Sequence, residues 1–345
     1  MEQQTAIDPA RIMQVGMGFW ASKTLLTAVK LNLFTLLGKG QQSTKQIKNQ
    51  LGLQTTDRHV SDWLDTLVSL GFLNREGIFD SANYSNTPDT DLFLDKNKPS
   101  YIGGILQMAN NRSYNIWSNL ETALKTGKPQ NEASAGNMEL FQVLYQDPQK
   151  LQEFMDAMSG IQSGNFRALV NKFDFDRYKT MADLGGADAW LSIQVCLKHP
   201  NIQCINFDLG PVEPLANKKI AQFNLQERIT HLTGDFMKDE LPDAEVYTMG
   251  NILHGMDESI KQQLINKIYE KLPDKGVFIA IENIIDNERR QNTFGLLMSL
   301  NMLLENGDGF DYSFVDFEKW ATKAGFKKVE IMPLTGPCSA AIAYK

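Results

Sequence analysis

The sequence predicts an α/β fold with a mainly parallel sheet over residues 176–345, preceded by a smaller helical domain. Three observations carry this expectation. After residue 176, short apolar runs alternate with helical stretches, as in parallel sheets whose strands are joined by crossover helices. The first run closes on Asp183-Leu184-Gly185-Gly186-Ala187-Asp188, and the next, Ile202-Gln203-Cys204-Ile205-Asn206-Phe207-Asp208, ends on an acid. A chain of 345 residues also exceeds what one hydrophobic core usually organises, so two domains are the default.

The first hundred residues carry helical patterns. Phe19 to Leu37 reads as one amphipathic helix, with Trp20, Leu25, Val29 and Leu33 near one face. Ser43-Thr44-Lys45-Gln46-Ile47 opens a short helix ending at Gly52, and Thr56-Asp57 caps another. Along the latter, Val60, Trp63, Leu64, Leu67 and Val68 follow the spacing i, i+3, i+4, i+7, i+8. A hairpin over Leu73–Phe79 then turns at Glu76-Gly77. Helix, turn, helix and β-wing make a winged helix. Its nucleic-acid reading would put the helix from Thr56 into the major groove. Asp57, Asp62 and Asp65 beside Arg58 and His59 suit a phosphate-facing surface poorly, so dimerisation is the favoured role. From about Pro99 to Lys172 the chain is again helical. There Phe154-Met155-Asp156-Ala157-Met158 and Phe166 read as plain core, or as the lining of a cleft.

Beyond residue 176, strand candidates end at Asp183, Asp208, Gly234-Asp235, Leu253 and Glu282. Two more, Lys328–Ile331 and Ala340–Tyr344, are too close in sequence for a helical crossover and must pair antiparallel. Ligands of open α/β sheets sit at the carboxyl ends of the strands. Those ends offer Gly185, Asp208, Asp235 with Phe236, His254 and Glu282. Glycine in the first turn lets a ligand approach the backbone, and Asp208 is placed to accept hydrogen bonds from ribose hydroxyls. So many acids serve a pyrophosphate badly and a cationic nucleoside well, which points to S-adenosylmethionine. His254, with an ordinary imidazole pKa of about 6.5, can take a proton from a hydroxyl or thiol. Its plainer reading is a helix-start histidine bonded to nearby backbone, and the neighbouring acids favour the chemical one.

Composition bounds the rest. A net charge of −7 argues against broad nucleic-acid binding. No apolar run reaches the roughly 18 residues of a membrane span, and Met1-Glu2-Gln3-Gln4-Thr5 lacks signal-peptide order. Three cysteines and four scattered histidines offer no metal-ligand spacing and suit a reducing compartment. A cytoplasmic protein with no resident metal and no nucleic-acid or membrane partner is expected.

Taken together, Phe19-Trp20-Ala21-Ser22-Lys23, the winged-helix region, Asp183-Leu184-Gly185-Gly186, Phe207-Asp208-Leu209, Gly234-Asp235-Phe236, Asn251-Ile252-Leu253-His254 and Leu272-Pro273-Asp274 carry a resemblance. The chain resembles the S-adenosylmethionine-dependent O-methyltransferases of the plant caffeate and animal acetylserotonin type and their bacterial relatives. The resemblance implies a winged-helix-like dimerisation domain over 1–100, a helical linker over 101–175 that contributes to the substrate pocket, and an S-adenosylmethionine-binding domain over 176–345. That last domain would be a class I methyltransferase, a Rossmann-like seven-stranded sheet with a C-terminal antiparallel hairpin.

It also implies a homodimer that methylates a small molecule. His254 would be the general base, bracketed by Glu282 and Asp311. Gly185, Asp208, Leu209, Asp235, Phe236 and Gly250 would bind the cofactor. Phe154, Met158, Met302 and Asn306 would line the acceptor pocket. The sequence departs from the family in Ala187-Asp188-Ala189, where glycines are usual, and in Gly250, Gly255 and Met256, where lysine, aspartate and tryptophan are common. These departures keep open a relative with non-methylating chemistry (hydroxylation, decarboxylation or pericyclic reaction). A winged-helix regulator with a ligand-sensing domain is the remaining alternative.

Overall fold

A computed structural model of the chain describes residues 7–131 and 147–345. The extreme N-terminal stretch and residues 132–146 of the helical region read from sequence lie outside the described residues. Two compact units divide between Asn115 and Ile116.

In the first unit, the helix expected over Phe19–Leu37 is two helices, Gly18–Lys30 and Leu33–Leu37. Asn32 breaks it by adopting a left-handed φ of 58°, which asparagine tolerates better than most residues. Val29, Leu33 and Phe34 pack into this unit's core, whereas Trp20 is exposed. Ser43 and Gln46 form a reciprocal capping box on Thr44–Gln50. The Thr56 side chain accepts from His59 N–H to cap Asp57–Ser69, whose Val60, Leu64 and Leu67 are buried. The hairpin is longer than its sequence suggests. Strand β1 is Gln42–Ser43, β2 is Leu73–Glu76, and β3 starts only at Asn83 and runs to Asn86. Glu76 pairs with Asn83, so the connection spans Gly77 to Ala82 and includes a 3-10 turn at Phe79–Ser81.

The second unit is built on a seven-stranded sheet. Its strands are β4 (Thr180–Leu184), β5 (Gln203–Asp208), β6 (Ile229–Thr233), β7 (Val246–Gly250), β8 (Val277–Glu282), β9 (Lys328–Pro333) and β10 (Ser339–Tyr344). The spatial order is β6-β5-β4-β7-β8-β10-β9. The first five are parallel, and β10 inserts antiparallel between β8 and β9.

Alternation along the strands feeds two apolar layers. Met181, Cys204, Val246, Ile279 and Ile342 face one, which contains Leu169 and Val170 of the helix Pro148–Lys172 and Leu191 and Val195 of Trp190–Lys198. Ala182, Leu184, Tyr247, Phe278 and Ala341 face the other, with Leu264 and Ile268 of Glu258–Lys271 and Phe317 and Trp320 of Phe314–Ala324. Each fully buried large side chain contributes roughly 1.5–3 kcal/mol. The sheet is therefore a rigid platform, and the loops at its carboxyl edge carry the chemistry.

Candidate active site

Strand β7 ends three residues before the position expected from its apolar run. Asn251 turns the chain with a φ of 54°, after which Leu253–Gly255 forms one 3-10 turn carrying His254. Glu282, at the end of neighbouring β8, holds that turn. Its Oε1 accepts from the Ile252 N–H (3.1 Å) and the His254 N–H (3.4 Å). The other oxygen, Oε2, lies 3.6 Å from His254 Nδ1. Asp311 comes from a later segment of the chain. The Ile285 N–H donates to Tyr312 O, and Ile285 bridges Ser313 in parallel, fixing this segment beside the end of β8. Asp311 Oδ2 lies 3.5 Å from His254 Nδ1. These are ion-pair distances rather than hydrogen bonds.

His254, Glu282 and Asp311 are all buried. Burial alone would lower the imidazole pKa, but the Glu282 charge and then Asp311 outweigh it and push the value up to about 9. Burial raises the Glu282 carboxyl to about 7, against the opposing pull of His254.

A fourth ionisable group completes this cluster, and the sequence reading missed it. Lys261 is fully buried on the helix Glu258–Lys271, donating to Met256 O (2.5 Å) and Phe310 O (3.0 Å), with its ammonium 3.3 Å from the Phe310 ring centroid. Burial lowers its pKa to about 8. With all four groups ionised, two cations offset two carboxylates, which makes the buried charge tolerable. The signal was available: Lys261 continues the stripe of Leu264, Ile265 and Ile268, where an apolar residue belongs.

The helix Thr293–Asn306 places two of the expected acceptor-site residues near His254. Asn306 donates to Gly255 O (3.1 Å) and to the sulfur of buried Met302 (3.8 Å). A Cβ on Gly309 would approach His254 O to 2.9 Å, so that glycine permits the close passage of the segment leading to Asp311. Met158 is half-buried on the helix Pro148–Lys172. Phe154, on the same helix, packs against Leu151, Met155 and Val212, a cluster that Leu215, and Ala187 of the glycine turn, also join.

That turn and its surroundings hold the residues expected to bind the cofactor. Gly185 has φ 71°, and a Cβ there would come within 2.6 Å of Ile252 Cδ1 and 3.7 Å of the Phe236 ring. Asp208 is half-buried, and its oxygens accept from the Ala187 N–H (2.8 Å) and the Leu209 N–H (2.7 Å). Burial raises its pKa. Asn206, also missed from sequence, donates to Ala187 O (2.9 Å). Asp235 is committed locally: it accepts from the Met237 N–H (2.9 Å) and pairs with Lys238 (2.9 Å). Gly250 lies 3.5 Å (measured from a Cβ built on it) from the Phe166 ring. Both alanines of the departing loop adopt left-handed conformations, Ala187 at φ 49° and Ala189 at 65°, each costing roughly 1–2 kcal/mol.

Residues and cofactor fit one another here. The glycine turn backs onto Ile252 and Phe236, each Asp208 oxygen accepts one backbone N–H and would have a lone pair left for a ribose hydroxyl, and the acidic rim would suit a sulfonium cation. A mainly parallel sheet with a glycine turn at one strand end and a buried, carboxylate-flanked histidine at another suits a methyltransferase of the class I fold. Comparison with known proteins agrees. Residues 117–327 match the O-methyltransferase domain, and residues 13–96 match the O-methyltransferase dimerisation domain.

The tetracenomycin polyketide synthesis 8-O-methyl transferase TcmO of Streptomyces glaucescens is 34% identical over 98% of this chain and 97% of its own. The N,N-dimethyltransferase OxyT of Streptomyces rimosus is 28% identical over 92% and 90%. The crystal structure of human N-acetylserotonin methyltransferase in complex with S-adenosylmethionine superposes with a TM-score of 0.90 at 26% identity, covering 100% of this chain and 99% of that one. The chain belongs to the O-methyltransferase family and is an S-adenosylmethionine-dependent methyltransferase of small molecules. Among the described residues, no helix is long and apolar enough to cross a membrane.

Proposed function

We propose that this enzyme methylates a hydroxyl of a small aromatic acceptor, with His254 as the general base. The observation that carries this reading is the buried imidazole with Glu282 and Asp311 both at its Nδ1. The two carboxylates orient the ring and stabilise the imidazolium, leaving Nε2 to take the acceptor proton. Raised basicity matches a phenol, whose ordinary pKa of about 10 makes the transfer from acceptor to imidazole nearly balanced. S-adenosylmethionine, when bound, supplies an activated methyl group. The protein then has to position, deprotonate and exclude water, and positioning carries much of the acceleration.

Gly185, Asp208, Leu209, Phe236 and Gly250 form the cofactor side in this reading, while Met158, Met302 and Asn306 form the acceptor side. Asp235 joins the cofactor side and Phe154 the acceptor side. Relatives named as O-methyltransferases support oxygen as the acceptor atom, and OxyT marks nitrogen as its competitor. The active form is a homodimer, supported by the match to a dimerisation domain and by exposed apolar residues Ile12 (75%), Val15 (75%) and Trp20 (62%). The domains in this reading are the dimerisation domain over 1–100, the helical linker over 101–175, whose helix Pro148–Lys172 contributes to the substrate pocket, and the cofactor-binding domain over 176–345.

Incubating the protein with S-adenosylmethionine and a panel of phenols, alcohols and amines tests the reading. The expected result is a methyl ether formed in equal amount with S-adenosylhomocysteine. Exclusive N-methylation, or turnover without S-adenosylhomocysteine, would overturn it.

A further inference from the structure

The cofactor turn holds an arrangement that its own backbone does not favour. Ala187 and Ala189 both occupy the left-handed region, which is readily adopted only by glycine and, less often, by asparagine or aspartate. Something outside the turn must impose this shape. Asp188, between the two alanines, is 4% exposed, and its Oδ2 lies 2.5 Å from Lys219 Nζ. Lys219 projects from the helix Glu213–Gln222, with its ammonium 4.5 Å from the Trp190 ring centroid. Trp190 opens the helix that follows the turn, and its Nε1–H donates to Ser163 Oγ (3.1 Å) on the helix Pro148–Lys172. The turn is thus fastened at its middle residue, while Asp208 and Asn206 grip Ala187 at its N–H and its carbonyl.

We propose that Asp188 and Lys219 form a staple that holds the turn in its ligand-ready shape, substituting for glycines that would reach that shape freely. Both are positioning residues and need not touch the ligand. The inference rests on the cofactor site proposed above. It has a specific consequence: glycine at positions 187 and 189 makes the staple redundant, because the imposed conformation then carries no penalty.

The test measures dissociation constants of S-adenosylmethionine and S-adenosylhomocysteine by calorimetry on the full chain. Lys219→Met is expected to weaken both ligands tenfold or more. Adding Ala187→Gly and Ala189→Gly to that variant should regain at least threefold. The same two glycines in the wild type should change affinity by less than twofold, and Lys219→Arg should bind within threefold of wild type. If thermal melting shows that Lys219→Met does not fold, Asp188→Asn takes its place with the same expectations. Affinity within twofold of wild type on breaking the pair, or a loss that the glycines do not reduce, overturns the staple. Asp208→Ala separates the two layers of inference. If it abolishes binding while Lys219→Met does not weaken it, the staple alone is wrong. If it leaves affinity unchanged, the site is misplaced and the staple falls with it.

Discussion

The His254 imidazole should titrate near pH 9, and Glu282 should be the main reason. Glu282 Oε2 lies 3.6 Å from Nδ1. At an effective dielectric of about 20, two unit charges at that distance attract by about 5 kcal/mol, an upper bound of roughly three pH units. Relaxation and the remaining Asp311 charge will reduce this. Glu282→Gln should therefore lower the His254 pKa by about one unit or more, because the burial that opposes the imidazolium is left intact. The sign for stability follows from the raised pKa. The His254 contribution is complete below about pH 6.5 and is lost as the pH climbs through about 9.

An NMR titration of the histidine ring carbons reads these values without an acceptor, and His254→Gln identifies the resonance. A wild-type midpoint near 6.5, or a midpoint unmoved in Glu282→Gln, would refute the electrostatic account. At neutral pH only about 1% of His254 is then neutral, so turnover of any acceptor it deprotonates should rise about tenfold per pH unit until about pH 9.

Replacing His254 by Gln should cut turnover about 10²–10⁴-fold while S-adenosylmethionine affinity changes little, read by rate assay and calorimetry on one preparation. Asp208→Ala should weaken S-adenosylmethionine at least tenfold, with a far smaller effect on His254 titration. Lys261→Met should lower the melting temperature, since one uncompensated buried charge costs about 3–5 kcal/mol. It should also raise the His254 pKa, because the lysine charge opposes protonation; a fall would show that the lysine acts otherwise.

The sequence by itself determined which strands exist and which residues stand at their carboxyl ends. Asp208 and Glu282 each close an apolar-rich run too short for a helix, and in a parallel sheet such ends converge on one edge. It also marked the alanines as anomalous, since the left-handed preference of a tight turn is a local property. Local pattern failed where a neighbour decides. Ile252 and Leu253 look like strand residues, but Asn251 turns the chain and Glu282 pins the turn through backbone N–H groups. Strands Lys328–Pro333 and Ser339–Tyr344 had to be antiparallel, yet only packing decides that the last one inserts beside β8.

Tertiary structure alone brought the Lys261 charge to bear on His254 and packed Phe154 into the cluster that Ala187 of the glycine turn joins. Propensity and periodicity act over a few residues. The charge balance of a buried cluster depends on groups up to fifty-seven positions apart in the chain, from His254 to Asp311, and it exists only once the fold has desolvated them together.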